Sequence, residues 1–164
     1  MEYIKNKFID LYTFFGYSDY NKIINNLYVG NYKSCQNEII TKENFEIIIN
    51  CTPNLPFHSK NTTNYRLNVK DNISYNSNFI ILKKALILLP IIHKHIGKTK
   101  ILIHCRAGQQ RSATLATMYL MKYHKMSAEK ATNFIREKRP NAFFIGPNFN
   151  FAVNVFEKYL KSDK

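Results

Sequence analysis

The chain has 164 residues, 45% apolar and 14% aromatic, a composition that gives one folded domain with a substantial core and excludes a disordered or fibrous chain. Its 24 Lys and Arg against 11 Asp and Glu give a formal charge of +13. That field concentrates anionic partners unless the lysines simply follow a Lys/Asn/Ile-rich composition, so charge alone chooses no substrate. Three cysteines, Cys35, Cys51 and Cys105, form neither a disulfide framework nor a metal-ligand spacing, and neither a metal nor a cofactor is expected.

In chain order, residues 1–15 place apolar side chains at roughly helical spacing, with Gly16 as a natural stop. Residues 1–20 are therefore expected to be an N-terminal helical segment and 21–164 the main domain. Lys5 and Lys7 break any early apolar run, which argues against a secretory signal. Strands are expected over Phe45–Cys51 and Tyr65–Val69, with a loop at Pro53–Pro56 between them. Residues 77–96 read as one helix kinked near Pro90, and Lys83, Lys84, His93, Lys94 and His95 argue against a membrane span.

A strand over Lys100–His104 then leads to a helix from about 111 to 124. A second helix, 128–138, is capped by Ser127 and ended by Arg139-Pro140, and Phe149–Leu160 forms the last. The apolar segment Asn141–Gly146 is expected to pack in the core. Strands separated by helices indicate an α/β fold, a central mostly parallel sheet flanked by helices.

The chemistry is concentrated in His104-Cys105-Arg106-Ala107-Gly108-Gln109-Gln110-Arg111-Ser112, which joins a strand end to a helix start. Unpaired N–H groups and the helix dipole attract an anion there. Nearby positive charge and loop amides favour a thiolate. The planar fork of Arg111 suits two phosphate oxygens at once. Cys105 is thus a candidate nucleophile on phosphorus, with Arg111 and the cradle residues Arg106, Ala107, Gly108, Gln109 and Gln110 holding the phosphate. Ser112 is expected to bond the sulfur and ease its departure. His104 is expected to fix local geometry by hydrogen bonding rather than to act as a base.

An ester leaving group also needs a proton. The Asp residues are Asp10, Asp19, Asp71 and Asp163, so Asp71 is the only one between positions 20 and 162. It opens a polar loop after a strand-like run, and it is the candidate general acid. The alternative is a turn-forming or helix-capping Asp.

This loop resembles the His-Cys-x5-Arg-Ser signature of the cysteine-dependent protein tyrosine phosphatase superfamily. The compactness of the chain resembles its small dual-specificity branch, of the poxvirus type. Leu27-Tyr28-Val29-Gly30, Tyr119-Leu120-Met121 and Pro147-Asn148-Phe149-Asn150-Phe151 are similar to runs in that branch, the likeness extends over about residues 22–161, and it implies that Asn25–Asn31 is the opening strand. Small dual-specificity phosphatases carry a loop acid about where Asp71 stands, 34 residues before Cys105. Gln110 departs from the small residue or Ser usual before the cradle Arg, and Gln109 and Gln110 are expected at the pocket rim.

The resemblance implies a single-domain protein tyrosine phosphatase-like fold. It implies an enzyme that hydrolyses phosphotyrosine and phosphoserine/phosphothreonine in proteins through a cysteinyl-phosphate. Other readings are a phosphatase of phosphatidylglycerophosphate or phosphoinositides, an RNA 5′-phosphatase, and a non-catalytic phosphate-binding module. A homodimer through the N-terminal helix is implied by the poxvirus-type likeness, and anionic lipid or RNA remain as partners. A cytoplasmic, reducing location is expected, which would suit a viral protein acting in a host cell.

Overall fold

The computed structural model describes residues 17–162; the expected helix over residues 1–15, and the dimer it would mediate, lie outside the described residues. Residues 17–19 are not helical, and Tyr20 is already in a strand. Tyr20–Ile24 (β1) and Leu27–Gly30 (β2) form an antiparallel hairpin. The strand expected over Asn25–Asn31 is present as β2, and Asn25 and Asn26 form the turn that joins it to β1. Asn26 sits at φ 62°, a left-handed conformation that Asn tolerates better than most side chains. β1 escaped sequence reading because it is an edge strand with only Ile23 buried, too little for a clear alternation.

A short helix not anticipated from sequence, Asn37–Glu43 (α1), leads into Ile47–Asn50 (β3). The next strand, Thr63–Arg66 (β4), pairs with it in parallel. Next come Tyr75–His95 (α2), Ile101–His104 (β5), Arg111–Tyr123 (α3), Ala128–Lys138 (α4) and Asn150–Ser162 (α5). The sheet runs β1-β2-β5-β3-β4, parallel except at the β1–β2 edge. Central β5 is buried at all its positions, which explains its unbroken apolar run Ile101-Leu102-Ile103.

The fourth strand starts and ends earlier than the expected Tyr65–Val69. After Arg66 the chain leaves the sheet: the Leu67 amide donates to the Asn50 carbonyl at 2.9 Å, and Asn68 turns at φ 57°. Leu67 and Val69 drop into the core. Their apolar side chains mimic a strand, yet they serve to carry Asp71 back over the sheet edge.

Helix α2 begins at Tyr75, where the Ser74 hydroxyl accepts from the Ser77 amide at 3.2 Å, a standard N-cap. It continues through Pro90. Leu86, whose carbonyl Pro90 deprives of a donor, is exposed, so water can take that role. By length and composition this helix could cross a membrane. In this domain Ile81, Ala85, Leu88, Leu89 and Ile92 are buried, and the helix packs on α3 and α5. Ser127 caps α4 as expected, accepting from the Lys130 amide at 3.2 Å.

The segment 141–146 divides: Asn141, Ala142 and Phe143 are buried, whereas Phe144 is 61% and Ile145 83% exposed. Core packing was the expectation for all of it. Phe143 turns at φ 57° and Gly146 at φ 90°, and the chain cannot keep consecutive side chains on one side through such turns.

Candidate active site

Three parallel strands end in register, with Gly30 and Asn50 on either side of His104. The residues that follow, Asn31, Cys105 and Cys51, therefore leave the sheet together at its carboxyl edge, where open α/β sheets place their ligands. Cys105 is the last residue before the loop that enters α3. Its sulfur accepts from the Gly108 amide at 3.2 Å and lies 3.2 Å from the Ser112 hydroxyl. Both expected sulfur contacts, a loop N–H and Ser112, are present in the geometry.

The loop's carbonyls all face away from the sulfur. Arg106 O accepts from the Tyr32 amide at 3.0 Å, Gln109 O from the Phe143 amide at 3.0 Å, and Gln110 O from the Thr114 amide at 2.8 Å. Between them, Ala107 O and Gly108 O accept from the Arg139 guanidinium at 3.4 and 2.7 Å. With its carbonyls held outward, a loop that turns this tightly presents its N–H groups inward, the arrangement of an anion-binding nest. Gly108 is required by this curvature. It has φ +66°, and a Cβ there would stand 2.6 Å from the Gly30 carbonyl oxygen.

Arg111, the first residue of α3, is 6% exposed and donates through Nη1 to the Val69 carbonyl at 3.2 Å. Its Nε stands 3.3 Å from Asp71 Oδ2, but the N–H is not aimed at that oxygen and makes no hydrogen bond. The contact is an ion pair, not an aligned bond. Asp71 is held from the other side by Asn148, whose Nδ2 donates to Oδ1 at 2.9 Å.

The loop of Asn148 is in turn fastened to the cradle by Gln110. Its Nε2 donates to the Gly146 carbonyl at 2.8 Å, and its Oε1 accepts from the Asn148 amide at 2.9 Å. Gln110 is buried, so it is a strut between two loops and not the rim residue expected from sequence. Gln109 Nε2 is buried without a partner among the described residues.

These observations decide the family. The sequence profile of the dual specificity phosphatase catalytic domain matches residues 27–161. Human dual specificity protein phosphatase 16 is 33% identical over 153 residues, covering 86% of this chain. The chain belongs to the dual specificity phosphatase catalytic-domain family. It spans only 21% of that relative's length, and 33% of that of human dual specificity protein phosphatase 7.

The fold of this dual specificity phosphatase domain is shared with solved structures. One is human DUSP28, with a TM-score of 0.74 at 18% identity, covering 88% of this chain and 96% of that one. Another is a mouse dual specificity phosphatase complexed with zinc tungstate, with a TM-score of 0.75 at 19% identity, covering 88% and 90%.

Within this dual specificity phosphatase domain His104 is fully buried, with the Cys105 backbone as its polar neighbour. Neither ring nitrogen has a hydrogen-bond partner among the described residues. Burial pulls its pKa from 6.5 down to about 3, against an opposing pull from the Cys105 backbone. The ring is neutral and fully buried at the end of β5.

A histidine that protonates more readily in the unfolded chain costs stability in acid. The contribution is complete above the unfolded pKa and declines as pH falls from there toward about 3. Between pH 7 and 5 the wild type should lose about 2 kcal/mol more than His104→Asn, and urea midpoints at the two pH values test this.

Cys51 follows the strand beside Cys105, and all three cysteines are free and buried. Burial raises the Cys51 thiol well above its usual range, the neighbouring Cys105 adding to the effect. Cys51 is therefore a packing thiol and a poor nucleophile. Among the described residues no group of three or more His, Cys, Asp or Glu is placed to hold a metal ion.

Arg139 and Asn148 were missed as parts of the site. Arg139-Pro140 reads from sequence as a helix stop, and Asn148 as part of a family-like run. An Arg with no acidic residue at i±3 or i±4 directly before a helix-ending Pro was the one available signal, and it is weak.

Proposed function

We propose that this domain hydrolyses phosphate monoesters on proteins, taking phosphotyrosine and phosphoserine/phosphothreonine. The observation that carries the reading is the convergence at one sheet edge of Cys105, Arg111 and Asp71 on a loop whose carbonyls are all held outward. Membership of the dual specificity phosphatase family supports it.

In this reading the Cys105 sulfur attacks phosphorus in line, and a P–S bond forms as the P–O ester bond breaks. Asp71 gives its proton to the leaving oxygen. Water then attacks phosphorus, its proton passing to Asp71, and the sulfur departs with the Ser112 hydroxyl stabilising it at 3.2 Å. Nη1 of Arg111 is engaged by Val69 O, so the Nε/Nη2 edge is the fork that holds two equatorial oxygens. The cradle amides of Arg106 to Arg111 hold the rest of the charge that spreads over the phosphoryl group. The overall charge of +13 draws the anionic substrate in. A free Cys105 suits a reducing compartment.

The test is phosphate release from phosphotyrosine peptide, phosphothreonine peptide, phosphatidylglycerophosphate, phosphoinositides and 5′-triphosphate RNA. Turnover of both peptides above the other substrates is expected. Preference for a lipid or RNA would retain the chemistry and overturn the substrate. Lack of release from every substrate would leave a phosphate-binding module.

The role of Asp71 is separable by leaving group. Asp71→Asn should slow release from phosphoserine peptide by about a hundredfold or more, the scale of a lost general acid. An aryl phosphate whose phenoxide leaves without help should slow far less. Equal slowing of both would remove Asp71 from that role.

A further inference from the structure

Among the described residues Arg139 is the bulkiest fully buried side chain, at 0% exposure, and no carboxylate among them pairs with it. A charge so placed is tolerated only when its donors are satisfied. They are satisfied by oxygens from two parts of the chain. Nε donates to Gly108 O at 2.7 Å and Nη2 to Ala107 O at 3.4 Å, both in the cradle. Nη1 donates to Ser18 O at 3.2 Å and to Asn21 Oδ1 at 2.6 Å, both at the entry to β1. Burial lowers its pKa to about 10, with Cys105 and Asp19 pulling the other way, so the side chain is charged at neutral pH.

Among the five carbonyls from Arg106 to Gln110, three have backbone donors from neighbouring elements. Among the described residues, the two between them take their donors from this one side chain. Those two belong to the peptide units whose N–H groups are on Gly108 and Gln109, and the Gly108 N–H is the one that bonds the Cys105 sulfur. A peptide unit is planar, so fixing its C=O outward fixes its N–H inward. Without the guanidinium these two units lose what sets their orientation, and glycine at 108 permits either face.

We propose that Arg139 is the positioning residue of the phosphate cradle, orienting the Ala107–Gly108 and Gly108–Gln109 peptides so that their N–H groups face the nucleophile and the bound phosphate, and that Asn21 holds it in place. It touches neither substrate nor sulfur. The inference rests on the phosphatase reading of the same site, and it extends the site to β1, on the far side of the cradle.

The experiment measures alkylation of Cys105 by iodoacetamide at pH 6 and pH 9 in the whole chain, located by peptide mass, together with kcat and KM for a phosphotyrosine peptide. Wild type, Arg139→Met, Arg139→Lys and Asn21→Ala are compared, each checked for fold by circular dichroism. The ratio of rates at the two pH values reports how well the site holds a thiolate, and loss of stability alone does not lower it.

In Arg139→Met the ratio should fall about tenfold, the scale of losing a hydrogen bond to an ionised group. It should fall by less in Arg139→Lys, which keeps the charge without the fork, and in Asn21→Ala. The turnover loss should lie mainly in kcat. A ratio equal to wild type in the folded variants overturns the proposal, as does full rescue by Lys, which would make the effect one of charge alone. If Arg139→Met does not fold, the other two variants decide in the same way. A wild-type Cys105 that is inert at pH 6 would instead count against the phosphatase reading itself.

Discussion

Cys105→Ser is expected to abolish phosphate release, by about ten-thousandfold or more, while leaving the capture of phosphoesters intact. The sulfur is held by the Gly108 amide and the Ser112 hydroxyl, each at 3.2 Å. Those contacts stabilise negative charge on sulfur, whereas a serine hydroxyl with no base to take its proton attacks phosphorus poorly. The anion site does not depend on the sulfur. Its shape comes from the donors on the loop's carbonyls, namely Tyr32, Arg139, Phe143 and Thr114, none of which the substitution touches. The variant should therefore bind phosphotyrosine peptide in calorimetry at least as tightly as wild type. Release faster than a hundredth of the wild-type rate would show that another group is the nucleophile.

Arg111→Lys is expected to lower kcat by about a hundred- to a thousandfold, the scale of removing one preorganised donor at a site of developing charge. The guanidinium is fixed before any substrate arrives: Val69 O holds Nη1 at 3.2 Å and Asp71 stands 3.3 Å from Nε. A Lys ammonium can satisfy Val69 or the phosphate but not both, and it has no second parallel N–H. The loss should be about equal for good and poor leaving groups, since both share the phosphoryl group that Arg111 holds, and steady-state rates across a series of aryl phosphates would check this. Near-normal kcat would refute the role given to Arg111.

The parts legible in the sequence are those whose signal is local. Buried β5 announces itself as an apolar run, Ser127 as a cap three residues before its partner amide, and the Cys105–Ser112 loop as a spacing. Asp71 stood out because no other Asp was available in the catalytic half of the chain. What was not legible depends on partners distant in sequence. β1 exists because β2 pairs with it. Leu67 and Val69 look like strand residues, but the backbone turns at Asn68. Gln110 looks like a rim residue until Gly146 and Asn148 are found on either side of its amide. Arg139 reads as a helix stop because its four acceptors lie 31 or more residues away. Phe144 and Ile145 are exposed although their composition says core.

The outward-facing carbonyls have a consequence for when the site comes into being. The donors that hold them come from residues 32, 114, 139 and 143, so the motif-bearing stretch cannot shape itself. A chain still emerging from the ribosome, or one whose segment around Arg139 and Phe143 has locally opened, carries the thiol without a complete anion cradle around it. The contacts of Tyr32, Arg139 and Phe143 span 31 to 74 residues and cost loop entropy to close. Catalytic competence is thus a readout of finished folding: the nucleophile is translated before Arg139 and Phe143, two of the residues that make it useful.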